Sequence, residues 1–193
     1  MSPTAVKIFS ALRRQMNGHI TGAMELCGVQ YGMNYGVSIP TIKDICAFYG
    51  PDHALAGELW RQEVRELRLA AIFIEDPVQV TLEQMILWSQ KWSTLELAEQ
   101  CAMQLFYKAD DHLLLARHWV QTGNVLQKKA AYLIIGKSAS GHVMDELQPF
   151  ITAEASAYCL REIYKSCPLL RGQILSLAEN VADLKWQIEA LDY

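Results

Sequence analysis

An all-α fold, a right-handed α-solenoid of stacked helical hairpins, is what this sequence predicts, and three observations carry the prediction. Apolar residues recur with a period near 3.6 through most of the chain, and no stretch alternates with period 2. Trp60, Trp88 and Trp119 stand 28 and 31 residues apart, each leading a similar helical pair. A repeat of about 30 residues made of two helices cannot bury its apolar face alone, so neighbouring pairs must stack into a continuous core.

The elements follow in order. Residues 3–16 read as a first helix with Ala5, Ile8, Phe9 and Leu12 inward, and a second apolar segment runs from Ile20 to about Val29. Tyr31–Pro40 holds two glycines, an asparagine and a closing proline, so it is expected to be a loop that delivers a short helix over Pro40–Tyr49. Asp52 is placed to cap the next helix. Asp52-His53 precedes Trp60 with the same spacing that separates Asp111-His112 from Trp119. Thr81–Phe106 reads as two helices broken at Lys91–Ser93, the second opening on Ser93 and Glu96 at capping-box spacing. Ser138–Gln148 reads as a linker, Phe150–Lys165 as a further helix, and a last helix begins near Pro168.

At 193 residues, half hydrophobic and one fifth charged, the chain suits a single domain over 1–193 with a sizeable core. The apolar run Leu69–Ile74 is far shorter than a membrane span, and the start lacks the apolar stretch of a secretory signal. Five cysteines without a CxxC pair point to reduced thiols packed as small core residues in a cytoplasmic protein. No metal-ligand spacing and no cofactor signature is present, so neither a metal nor a cofactor is expected.

A net charge of −4 argues against a general affinity for nucleic acid, but the charge is unevenly spread. Residues 1–24 carry Lys7, Arg13 and Arg14 and no acid; residues 112–144 carry Arg117, Lys128, Lys129 and Lys137 and again no acid. Either segment can be a local cationic surface for phosphates or a solvated face with no partner.

Tyr35-Gly-Val-Ser-Ile-Pro40, Asp52-His-Ala-Leu-Ala-Gly-Glu-Leu-Trp60, Val64-Arg-Glu-Leu-Arg-Leu-Ala-Ala71, Asp76-Pro77 and Glu83-Gln84-Met85, taken in order, resemble the DNA alkylation repair proteins with HEAT-like repeats, the AlkD-type DNA glycosylases. The resemblance spans about residues 31–139. It implies a HEAT-like superhelix that meets double-stranded DNA with alkylated bases or unusual structure and releases cationic purines such as 3-methyladenine or 7-methylguanine; a monomer is expected. The family's Trp-Asp-x-x-Asp motif falls on Leu95-Glu-Leu-Ala-Glu99, so the resemblance implies Glu99 as the catalytic carboxylate, with Leu95 in the aromatic's place. The family's following arginine is matched by Lys129, with Lys128 an alternative register. This substitution keeps the charge and loses the bidentate fork. Arg68, Trp92 and Tyr35 complete the DNA-binding candidates. For each a structural role competes: helix ion pairs with Glu63 and Glu66 for Arg68, as for the neighbouring Arg65, a plug at the helix junction for Trp92, and loop packing for Tyr35. Trp60, Trp88 and Trp119 are expected in the core. Two further functions stay open at this level: a non-catalytic binder of DNA structure, and a protein-interaction scaffold.

Overall fold

The computed structural model describes residues 1–138 together with Arg161, Tyr164, Lys165, Arg171, Ile174 and Leu175. The expected linker beyond Ser138 and the two C-terminal helices lie, apart from those single positions, outside the described residues. The chain forms two compact units, Met1–Asp110 and Asp111–Tyr193.

The first unit is helical throughout, with one isolated β-bridge between Met33 and Val64. Its α-helices are α1 Pro3–Arg14, α2 Gly18–Leu26, α3 Ile39–Cys46, α4 His53–Trp60, α5 Arg65–Ile74, α6 Leu82–Ser89 and α7 Leu95–Gln100. Side-chain caps set the starts. Ser2, Asn17, Ser38, Asp52, Thr81 and Thr94 each accept a backbone N–H of the first turn. α5 is the central element. Leu67, Leu69, Ala70, Ala71, Ile72 and Ile74 are all buried, which a helix reaches only when enclosed on several sides; α3, α4 and α7 pack against it. α7 runs directly into a π-helical turn, Cys101–Leu105, and a 3-10 turn, Phe106–Lys108.

The tryptophan repeat has a physical basis. Trp60 ends α4 and Trp88 lies at the end of α6; both are buried, and their rings stack at 4.1 Å with 6° between planes. The second unit opens with a pair of the same kind, α8 His112–Thr122 against α9 Val125–Lys137, with Trp119 buried.

Several local expectations are corrected. The cap of α7 is Thr94, not Ser93, and Glu96 turns to other partners, so no capping box forms there. Asp111, expected to cap α8 as Asp52 caps α4, does not do so with its side chain; it takes a left-handed backbone at φ 58° instead. Cys46 and Cys101 are core residues as read, and burial pushes the Cys46 thiol up to about 12, but Cys27 is exposed. α2 buries no residue at all, and its N-terminal end is held by hydrogen bonds. Asn17 N–H donates to the Tyr35 carbonyl at 2.7 Å, and the Asn17 side chain accepts from His19 and Ile20.

That elbow depends on Gly36. Its φ is +69°, and a Cβ there would lie 2.2 Å from the Asn17 carbonyl oxygen and 2.7 Å from Thr21 Oγ1. Gly36→Ala is expected to cost about 3 kcal/mol, from the left-handed backbone and the displaced elbow together. The check is a lower urea midpoint with an unchanged slope.

Candidate functional site

The motif positions lie on α7, a short helix whose inner face is fixed by Leu97 and Ala98, both fully buried. Leu95, Glu96, Glu99 and Gln100 are half-buried along its other side. Leu95 and Glu99 are one turn apart, so their side chains share a face, and Glu96 neighbours Glu99 at the three-residue spacing.

Glu96 is held firmly. Arg65, at the first position of α5, donates from Nε to Glu96 Oε2 at 2.7 Å and from Nη2 to Glu96 Oε1 at 2.6 Å. This is the two-point fork that suits guanidinium and carboxylate. The Tyr31 hydroxyl donates to Glu96 Oε2 at 2.5 Å and lies 2.6 Å from Thr94 Oγ1. The remaining Arg65 nitrogen, Nη1, donates to the Val37 carbonyl at 2.8 Å and to Glu66 Oε1 at 3.0 Å. Glu66, fully buried, accepts the backbone N–H groups of Tyr35 and Val37. Two carboxylates and one guanidinium therefore tie the Tyr31–Val37 loop, α5 and α7 together.

The charges settle accordingly. Burial alone raises a carboxyl's pKa, but the Arg65 fork and the Tyr31 hydroxyl outweigh it and hold Glu96 below the usual carboxylate range. Burial works against the Arg65 charge, yet Glu96 and Glu66 raise its pKa further. Burial, with Glu96 as the next cause, pushes the Tyr31 phenol well above its ordinary value, so it stays a donor. A second buried carboxylate, Glu75, is pushed up by desolvation despite accepting from Gln84 Nε2 and lying 2.7 Å from His53 Nδ1.

The DNA-binding candidates are placed as follows. Arg68 spans local structure: it donates to the carbonyls of Gln62 and Lys91, each at 3.2 Å, and lies 5.8 Å over the Trp60 ring. Trp92 is 8% exposed, with its indole N–H 3.3 Å from Cys101 Sγ and its ring stacked on Phe106. Tyr35 is half-buried, tilted against Phe9, with its hydroxyl 3.1 Å from Met33 Sδ. In the second unit, Lys128 and Lys129 are half-buried in the second turn of α9, behind the Asn124–Gln127 capping box. Within the first unit, Glu99 and Glu96 lie on the same short helix, α7, and Arg65 reaches Glu96 from α5.

The sequence offers the local pairing of Arg65 with Glu66, which forms, but not its extension to Glu96 and Tyr31. One signal was available. Glu66 stands three and four residues before Leu69 and Ala70, on a helix face that continues through Phe73 and Ile74 without another charge. An acid on such a stripe needs a buried partner.

Comparison with known proteins bears on the fold and the family. No curated protein sequence matches the chain. A solved structure described as "a new family of proteins related to the HEAT-like repeat DNA glycosylases with affinity for branched DNA structures" is similar to it, with a TM-score of 0.70 and 15% identity over 91% of this chain and 82% of the other. That likeness establishes an all-α HEAT-like repeat fold. The sequence model of the DNA alkylation repair enzymes matches residues 8–158, most of the chain, and with that fold the protein belongs to the DNA alkylation repair enzyme family.

Proposed function

We propose that this protein binds double-stranded DNA whose helix is branched or carries alkylated bases, and that recognition of DNA structure, not base excision, is its function. Family membership and the described neighbour's affinity for branched DNA support the DNA partner. The observation that carries the non-catalytic reading is the closed Arg65–Glu96–Tyr31 arrangement. It commits the first acid of the motif to structure, while Leu95 offers no π-face to a cationic base. Lys128 and Lys129 supply point charges for phosphates. A second reading rests on Glu99. Half-buried on α7 at the matched position, its carboxylate would stabilise the positive charge that grows on deoxyribose as a cationic purine leaves.

One experiment separates the two. The protein is titrated against a four-way junction and a matched duplex across salt concentrations, then incubated with DNA containing 7-methylguanine. Salt-dependent binding that favours the junction is expected, with no base released. Reversing Lys128 and Lys129 to Glu is expected to flatten the salt slope by roughly 0.9 for each phosphate that is no longer neutralised. Base release abolished by Glu99→Gln would replace this reading with the second.

A further inference from the structure

Resting on the DNA-binding reading, we propose that the cleft between α2 and the Val29–Asn34 loop is a receptor for one unpaired nucleobase, with the outer face of α1 holding the adjoining phosphates. The cleft has a volume of about 500 Å³ and is lined by Thr21, Glu25, Gln30, Tyr31, Met33 and Asn34 among others. That volume lies within the range of small-ligand sites. Its chemistry suits a base. Hydroxyl, amide and carboxylate groups can meet ring nitrogens and exocyclic amines, and an aromatic ring and a thioether can meet a ring surface. It does not suit a phosphate: no lysine, arginine or histidine lines it among the described residues, and Glu25 repels an anion.

The cations lie on α1, the element that precedes the cleft in the chain. Lys7, Arg13 and Arg14 are exposed, and none has an ion pair among the described residues. Lys7 and Arg14 are seven residues apart on a helix whose Ala5, Ile8 and Leu12 face the core, so both point outward. The face is fixed in place, because the N-terminal amine and the Ser2 N–H both engage Glu58. Only the three-residue elbow Gln15–Asn17 separates this ridge from α2, which forms one wall of the cleft.

The opposite wall is tied at its C-terminal end by hydrogen bonds. The Met33 carbonyl accepts from Arg65 N–H at 2.9 Å, the Tyr35 carbonyl from Asn17, and Glu66 fixes the Tyr35 N–H. Tyr31 joins the cleft to α7, since the residue that lines the cleft also donates to Glu96. A pre-shaped wall lowers the ordering cost of admitting a base. A base already unpaired at a branch or bulge is also the least costly to deliver.

The test uses the full chain and two DNAs of one sequence, a perfect duplex and a duplex with a single bulged 2-aminopurine. The wild type is expected to bind the bulged DNA at least tenfold more tightly and to change the 2-aminopurine fluorescence. Gln30→Trp, at an exposed position, fills the cleft; it is expected to abolish that preference and the fluorescence change while duplex affinity is unchanged. Glu25→Gln gives a second, smaller probe of the same cleft, expected to weaken bulged DNA alone. Reversing Lys7, Arg13 and Arg14 to Glu is expected to weaken both DNAs together and flatten the salt slope. Equal binding of the two DNAs, or a preference that survives Gln30→Trp, overturns the cleft assignment and leaves DNA binding standing. Absence of any DNA binding at low salt overturns the underlying reading as well.

Discussion

Replacing Arg65 by methionine is expected to destabilise the protein by about 3–5 kcal/mol, the range found when one partner of a buried ion pair is removed. The cause is not the lost attraction alone. The substitution leaves Glu66, fully buried, and Glu96, held by the same guanidinium, without their cation, and leaves the Val37 carbonyl without its Nη1 donor. Lysine is expected to recover little. Its single ammonium cannot reach two carboxylates and a carbonyl in three directions at once. The effect carries a pH signature. In the wild type Glu96 titrates below its unfolded value, so its contribution is fully present above the ordinary carboxylate pKa of about 4.3 and is lost as pH falls through its lower folded pKa. In Arg65→Met the fork is gone and burial dominates, so protonating Glu96 relieves the penalty. The stability gap between the two proteins should therefore narrow as pH is lowered from 7 towards 4. Glu75, which burial pushes the other way, is present in both and cancels in the difference. Urea unfolding at several pH values measures this. A gap that widens in acid would mean that Arg65 does not hold Glu96 ionised.

The contrast between Arg65 and the tryptophans shows which parts of this fold a sequence can display. Trp60, Trp88 and Trp119 are core residues at equivalent ends of successive helical pairs, and their spacing alone discloses it, because each packs through a repeat that local periodicity writes out. The caps at Asp52 and Thr81 are likewise local, three-residue events. Glu96 belongs to another class. Its spacing from Ser93 fits a capping box, and a neighbour in sequence is the natural partner to expect. Its real partners, Arg65 and Tyr31, are 31 and 65 residues away. A local hydrogen bond loses to a charge-assisted fork, and nothing within one turn of the helix announces that competition. Trp92 and Arg68 likewise take partners from other elements, Cys101 Sγ and the Lys91 carbonyl, that no local spacing writes out. Cys27 reads as a core cysteine because its segment is apolar, but α2 is an apolar helix that buries nothing.

Trp60→Ala is expected to cost about 3–5 kcal/mol, whereas Trp60→Phe should cost less than about 1 kcal/mol, and the gap between them identifies what the residue does. Truncation to alanine removes a large buried side chain and with it the partner of Trp88, stacked at 4.1 Å. It also strips the surface over which the Arg68 guanidinium lies. Phenylalanine keeps a flat ring in the stack and gives up part of the buried area. Against that loss stands a gain, because the Trp60 indole N–H is buried and has no hydrogen-bond partner among the described residues. Such a group costs about 1–3 kcal/mol, and phenylalanine has none to bury. If Trp60 instead owed its place to its N–H, phenylalanine would be nearly as damaging as alanine. A double-mutant cycle with Trp88→Ala isolates the stacking itself. The two single costs together should exceed the double by about 0.5–1.5 kcal/mol, the range for aromatic pairs beyond their area. Additive costs would show that the two rings are merely neighbours, and that the repeat is held by its aliphatic core, not by the tryptophan pair.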